Sequence, residues 1–278
     1  MTERVTLVTD FGTTDGYVGA MKGAILCEAP DAALVDVSHD IPAGDIRQAG
    51  YVLAQAAPWF PPDTVHLAVV DPGVGGPRRA LAARLRLDGG VSATFVAPDN
   101  GLLTRVLARA EKIESAVALA PDPSRRVSAV FHGRDLFGPA AGRLAAGVAL
   151  DALGQAIDPD GILRLPEPGP ERAGDELDAG WNAPIVHVDR FGNLVTNLPI
   201  ETGARGVARC GDALVSSATT YSDVAVGELV ALRGSEGTLE VACRDGSAAR
   251  ALGLGLGHVI HWRPIDAPIS STAERSTG

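Results

Sequence analysis

Five short apolar runs in the first half of the chain each lead into side chains that can bind a ligand or move a proton. Asp10 follows VTLVT, Ser38, His39 and Asp40 follow ALVDV, Asp71 follows HLAVV, Asp99 and Asn100 follow TFVA, and His132 with Arg134 and Asp135 follows VSAVF. Taken singly, an Asp after an apolar run is a turn or helix-cap residue. Five together point to one edge of a sheet, where open α/β sheets bind their ligands. In VVDPGVGGPRR (69–79), three glycines and two prolines hold one acid and two arginines within residues 71–79. The segment lacks the GK[ST] ending of a P-loop, and no G-x-G-x-x-G opens a helix after the first strand, which sets aside NTP hydrolysis and dinucleotide binding. In FHGRDLF (131–137) an imidazole, a guanidinium and a carboxylate lie within four positions. His132 there suits a structural role, a general base or a metal ligand. No H-x-H or H-E-x-x-H supplies a second histidine at ligand spacing, although Asp10, Asp71, Asp99 and His132 can in principle assemble a metal site. In VDRFGNLVTN (188–197), Gly192 fits a plain hairpin turn. The same segment also holds the groups a flat nitrogenous base requires, a ring to stack on and an amide that donates and accepts.

Positioning these residues requires a particular order of elements. Residues 5–9 read as a buried strand, DFGTTDG as a loop, and 19–29 as a helix stopped by Pro30. The order recurs as a strand over 33–38 with a helix over 45–57, and a strand over 64–72 with a glycine-rich turn. A strand over 91–97 then precedes NGLLTRVLARA, and FHGRDLFGPAAGRLAAG reads as a loop feeding another helix. This alternation predicts an α/β domain over 1–165, a mainly parallel sheet with helices on both faces. Pro, Gly and acids replace the apolar periodicity beyond Leu165, which places a linker at 166–180. Short β-branched segments separated by Gly and Asp predict a smaller antiparallel β domain over 181–264. The small polar residues of 265–278 read as a flexible tail.

A chain of 278 residues that is 46% hydrophobic and 21% charged can bury one large or two modest cores. Thirty-four acids against 24 bases leave a net charge of −10, which repels nucleic-acid phosphate and anionic membrane alike. Cys27, Cys210 and Cys243 are odd in number and far apart, with no C-x-x-C spacing for zinc or a redox pair, so a reduced compartment is expected. The opening MTERVTLVTDFG lacks the regions of a secretory signal, and no run of about 18 apolar residues occurs. The expectation is a cytoplasmic protein without nucleic-acid or membrane partners.

Seven segments in order carry a resemblance: TDFGTTDGYVGAMKG (9–23), DVSHDIPAGDIRQA (36–49), VVDPGVGGPRR, APDNGLL (97–103), FHGRDLFGPAAGRLAAG (131–147), VDRFGNLVTN and GSEGTLEVACRDGSAA (234–249). From about residue 4 to 264 the chain resembles the S-adenosyl-L-methionine (SAM) hydroxide adenosyltransferases, or SAM hydrolases, relatives of the fluorinating and chlorinating SAM enzymes. The resemblance implies a two-domain chain in a homotrimer, with SAM held between the N-terminal domain of one subunit and the C-terminal domain of its neighbour. It implies a catalytic triad of Asp71, Arg78 and His132. Halogenating relatives typically carry a Tyr at the position of Asp71, lack the histidine, and have an insertion after this loop that the chain does not show. Asp10 matches the acid that grips the ribose hydroxyls, and Asp15 lies in the same loop. Asp189 and Ser235 match contacts to the methionine amine and carboxylate, while Phe191 and Asn193 fall at the adenine pocket and Cys243 and Asp245 contribute backbone contacts. Gly133 stands where the fluorinating branch has a halide-contacting serine. The run Arg233-Gly234-Ser235-Glu236-Gly237 departs from the family's Asn-Ser before a glycine, and Glu236 replaces a residue that is basic in some relatives.

The implied reaction is attack of water or hydroxide on C5′ of SAM, the substrate, giving adenosine and L-methionine without cofactor or metal. Three alternatives stand beside it: a SAM-dependent halogenase, a non-catalytic SAM or adenosine sensor, and a metal-dependent phosphohydrolase. Chloride-dependent product, binding without turnover, and loss of activity in EDTA distinguish them in turn.

Overall fold

The computed structural model describes residues 4–175 and 179–265. The polar tail lies outside the described residues apart from Ile265, as do residues 176–178 of the Pro- and Gly-rich stretch. The chain divides into two compact units, one ending at Pro166 and the other beginning at Glu167.

The first unit is built on β1 (Arg4–Thr9), β2 (Ala33–Ser38), β3 (Val65–Val69), β4 (Ala80–Leu87), β5 (Val91–Pro98), β6 (Ala110–Leu119) and β7 (Gly154–Ala156), in the sheet order β2-β1-β3-β5-β4-β6-β7. From β2 to β5 the neighbours are parallel, and from β5 to β7 antiparallel, so the sheet is mixed. Alternate side chains of each strand enter opposite layers. Val5, Leu7, Val65 and Leu67 pack with Met21 and Ile25 of α1 (Tyr17–Glu28) and Ala140 and Ala141 of α4 (Gly138–Ala145). Val8, Ala68 and Phe95 pack with Ala49 and Leu53 of α2 (Ile46–Ala56) and Val106 of α3 (Thr104–Ala108). Asp45 caps α2 by accepting from the Gln48 N–H at 3.0 Å.

Two of these strands are invisible to periodicity. ALAARLRL of β4 and AEKIESAVAL of β6 are rich in good helix formers. Tertiary pairing overrides that preference: β4 pairs from Ala80↔Pro98 to Leu87↔Val91 with β5 on one side and with β6 on the other.

In the second unit β9 (Gly180–Val188), β10 (Leu194–Pro199), β11 (Gly206–Cys210), β12 (Ala213–Ser216), β13 (Leu229–Arg233), β14 (Thr238–Cys243) and β15 (Val259–Pro264) run in the order β12-β11-β15-β9-β10-β14-β13, all antiparallel, with β8 (Glu171–Ala173) beside β9. The path almost closes on itself, because Ser217 bridges Ala231 of β13 and the Ala218 N–H donates to the Ala231 carbonyl at 2.9 Å. Leu194, Leu239, Val241 and Trp262 are among the side chains filling the interior of this near-barrel. Its helix is the short α5 (Ala248–Leu252), capped by Ser247 and ended by Gly253 in the left-handed conformation. No helix among the described residues is long and apolar enough to cross a membrane.

Candidate active site

Asp71 and Arg78 stand at the two ends of the loop joining β3 to β4, and the turns Val74 N–H to Asp71 O (3.1 Å) and Gly76 N–H to Gly73 O (3.0 Å) fold the loop so that the ends meet. Arg78 Nε donates to Asp71 Oδ1 at 3.1 Å and to Oδ2 at 2.9 Å, and Nη2 donates to Oδ2 as well. The two side chains are only 5% and 12% exposed, so solvent screens the pair little. Gly73 lies beside the pair, and a Cβ there would stand at ordinary contact distance, 3.7 Å, from both Asp71 Oδ1 and Arg78 Cγ. The Arg78 guanidinium also lies over the Phe137 ring, 5.2 Å from its centroid.

His132 completes the cluster, with its Nδ1 2.7 Å from Arg78 Nη2. A guanidinium has no acceptor, so Nδ1 accepts, and a neutral ring then carries its proton on Nε2. Burial, followed by the Arg78 charge, lowers the His132 pKa below the ordinary imidazole value, against the opposing charges of Asp71 and Asp135. His132 enters the cluster at the head of a π-helical turn, Gly133–Phe137, that runs into α4.

Neighbouring loops close around this centre. Asp10 Oδ2 accepts from the Gly44 N–H at 2.8 Å, and a Cβ on Gly44 would lie 3.8 Å from the Pro72 side chain, beside Asp71. The Asp10 loop is braced by bonds from Phe11 N–H to Thr9 Oγ1 (3.2 Å) and between Thr9 Oγ1 and His39 Nδ1 (2.8 Å), and beyond them His39 Nε2 lies 3.1 Å from Asp36 Oδ1, whose Oδ2 pairs with Lys22 at 2.6 Å. Burial would raise the Asp36 pKa, but the bonds and charges of Lys22 and His39 lower it overall. Asp15 is exposed in the loop before α1. Phe11, Tyr17 and Phe131 meet edge to face with centroids 5.3 to 6.3 Å apart. Gly133 is buried beneath them, and a Cβ there would stand 3.0 Å from the Phe11 ring. Sequence reasoning singled out neither Phe11, in the loop of Asp10, nor Tyr17, the first residue of α1. Arg134 and Asp135 pair with each other at 2.6 Å, and Asp135 also caps the Ser128 N–H at 2.9 Å, so they hold the loop rather than face the cluster.

The second unit has an open cavity of about 680 Å³ lined by Asp189, Phe191, Asn193, Tyr221, Cys243 and Asp245, among others. Phe191 is 74% exposed at the tip of the β9–β10 hairpin, while Asn193 is buried. Asp189 folds the tip: its Oδ1 accepts from the Phe191 and Asn193 N–H groups, both at 2.9 Å, and its Oδ2 from Asn193 Nδ2 at 3.0 Å. Ser235 and Glu236 are in the β13–β14 turn and are not among the cavity's lining residues, but a Cβ on the neighbouring Gly234 would stand 2.8 Å from Glu240 Oε2, and Glu240 Oε1 accepts from the hydroxyl of cavity-lining Tyr221 at 2.7 Å. Among the described residues no group of three His, Cys, Asp or Glu side chains is arranged to hold a metal ion, and Asp99 faces Arg79 instead of the cluster.

Residues 5–154 match the model of the SAM hydroxide adenosyltransferase N-terminal domain, and residues 183–261 that of the C-terminal domain. The chain belongs to the SAM hydroxide adenosyltransferase family. Within that family's reach, an (R)-S-adenosyl-L-methionine hydrolase of Salinispora arenicola is 39% identical over 91% of this chain and 95% of its own length. One of Thermus thermophilus is 38% identical over 91% and 96%. A fluorinase of an Actinoplanes species is more distant, 28% identical over 70% of this chain and 71% of its own. The SAM hydroxide adenosyltransferase chain also superposes on a crystal structure of a conserved protein from Thermotoga maritima with a TM-score of 0.82 at 31% identity, covering 93% of this chain and 99% of the other.

Proposed function

We propose that the chain hydrolyses SAM to adenosine and L-methionine, with Asp71, Arg78 and His132 at the reacting end. The observation that carries this reading is Arg78 bonded at once to Asp71 and to His132 in a site with little solvent. Water is a poor nucleophile, and a carboxylate is a weak base for it. Position has to compensate. Asp71 Oδ1 accepts a single bond, from Arg78 Nε, and retains a lone pair for a water proton. Arg78 and the Nε2–H of His132 are donors that hold the water oxygen as charge builds on it.

As the oxygen forms its bond to C5′, the C5′–S bond breaks, its electron pair neutralises the sulfonium, and the proton passes to Asp71 and on to solvent. The step cancels charge, so the low solvent exposure of Asp71 and Arg78 favours it. The leaving group brings its own positive charge, and no metal or other cofactor has a step to perform. In-line placement supplies much of the remaining rate.

Substrate contacts follow the same reading. Asp10 and Asp15 serve the ribose, Phe191 stacks on adenine, and Asn193, whose donor is engaged by Asp189, offers Oδ1 to the adenine amino group. Cys243 and Asp245 complete that pocket, and Asp189 with Ser235 and Glu236 serves the methionine end. The working form is a cytoplasmic homotrimer in which each site draws on two subunits. Phe11 packed on Gly133 disfavours a halide-binding side chain there.

Chromatography of SAM incubated with wild type and with Asp71→Asn, varying EDTA and chloride and testing the (R) and (S) sulfonium epimers separately, checks the reading. Wild type should yield adenosine and methionine regardless of EDTA and chloride, with Asp71→Asn at least about 100-fold slower. SAM binding without adenosine above the enzyme-free control sinks the hydrolase reading in favour of a sensor, and 5′-chloro-5′-deoxyadenosine would establish halogenation.

A further inference from the structure

Asp71 and Arg78 sit on opposite stems of one loop, and something must fix the distance between those stems. β5 lies between β3 and β4 in the sheet, parallel to the first and antiparallel to the second. The loop from β3 to β4 must therefore straddle the end of β5. The first two residues beyond β5 are Asp99 and Asn100, and each grips a different stem. Asn100 Nδ2 donates to the carbonyl of Val70, the residue before Asp71, at 3.0 Å, while Asn100 Oδ1 accepts from the Leu102 N–H at 3.2 Å. Val70 is fully buried, so its carbonyl depends on such a partner. On the other stem the Asp99 N–H donates to the Arg79 carbonyl at 2.9 Å, and Arg79 Nε donates to Asp99 Oδ2 at 2.8 Å. Asp99 Oδ1 accepts from the Leu163 N–H at 2.9 Å, which anchors the clamp to a separate segment.

From this geometry we infer that Asp99 and Asn100 are positioning residues for the Asp71–Arg78 pair, Asn100 setting the backbone of Asp71 and Asp99 that of Arg78. The inference rests on the hydrolase reading for its kinetic consequence but not for its geometric one. Neither residue need touch substrate. Displacing Asp71 by a fraction of an ångström misaligns the attacking water while leaving the nucleoside and methionine contacts in place.

Asn100→Asp is nearly isosteric and removes the N–H donor to Val70. In the full chain its kcat should fall about 10- to 100-fold with KM for SAM within about threefold of wild type. Added to Asp71→Asn it should cause no further loss, since both act through one group. Asp99→Asn tests the second stem and should show the same split, and melting curves for both verify folding. A crystal structure of Asn100→Asp should show the Asp71 carboxylate displaced from Arg78. An unchanged kcat in an active enzyme, losses that multiply with Asp71→Asn, or an unmoved Asp71–Arg78 pair overturns the inference. Inactive wild type would instead overturn the hydrolase reading, with the crystal structure still deciding the clamp.

Discussion

At His132 the direction of one hydrogen bond limits what the ring can do. Nδ1 accepts from Arg78, so protonating it means breaking that bond against a neighbouring positive charge. The enzyme should therefore remain active below the pH at which an ordinary histidine, near 6.5, is half protonated. Because the Asp135 charge raises the His132 pKa, Asp135→Asn should move the acid limb of kcat/KM to still lower pH, as a pH–rate profile can measure. A limb that moves upward would contradict this balance of charges. His66 answers to acid differently. It is buried between Phe60 and Phe95, bonded to Thr6 at 2.7 Å, with burial lowering its pKa to about 4. Unfolded, the ring takes up a proton near pH 6.5; folded, it does not until about pH 4. Its contribution is thus present above pH 6.5 and lost as pH falls towards 4, by up to about 3 kcal/mol. Urea unfolding at pH 7 and pH 4.5 should show a smaller acid loss for His66→Gln than for wild type.

Single elements carry much of the placement, and the β9–β10 hairpin does so with little tolerance. Gly192 has φ of +85°, and a Cβ there would fall 2.0 Å from Ser247 Oγ at the start of α5. Gly192→Ala should cost about 2 kcal/mol or more, through the left-handed backbone and the displaced cap together, and weaken adenosine binding in calorimetry. A melting temperature within one degree of wild type would contradict that. This hairpin was legible as sequence, because an Asp, a Gly and an Asn between two β-branched runs allow few turns. So were the parallel strands β1, β3 and β5, whose largely apolar residues report burial on both faces. Strands β4 and β6 were not, since Ala, Leu, Arg and Glu favour helix until both neighbours supply ladders. The same limit applies to the site. That polar residues follow each strand is visible in the chain, but which of them turn inward is set by packing. Asp71 and His132 meet through Arg78, whereas Asp99, equally suggestive by position, turns to Arg79 and Leu163.

For the whole molecule, the proposed trimer makes a prediction that neither unit makes alone. If each site joins the first unit of one subunit to the second unit of its neighbour, a defect in Asp71 and a defect in Asn193 disable the same site only when the two halves brought to it include a damaged one. Homotrimers of Asp71→Asn or of Asn193→Ala then have every site damaged. When the two are unfolded together and refolded at equal amounts, a site draws an intact first unit half the time and an intact second unit half the time. About one quarter of wild-type activity should return. Sites built within one chain would regain nothing, because every chain carries one defect. Sedimentation should show a trimer for wild type and both variants, and recovered adenosine formation should rise and fall with the mixing ratio, peaking at equal proportions. No recovery in verified mixed trimers would place the complete site within a single subunit.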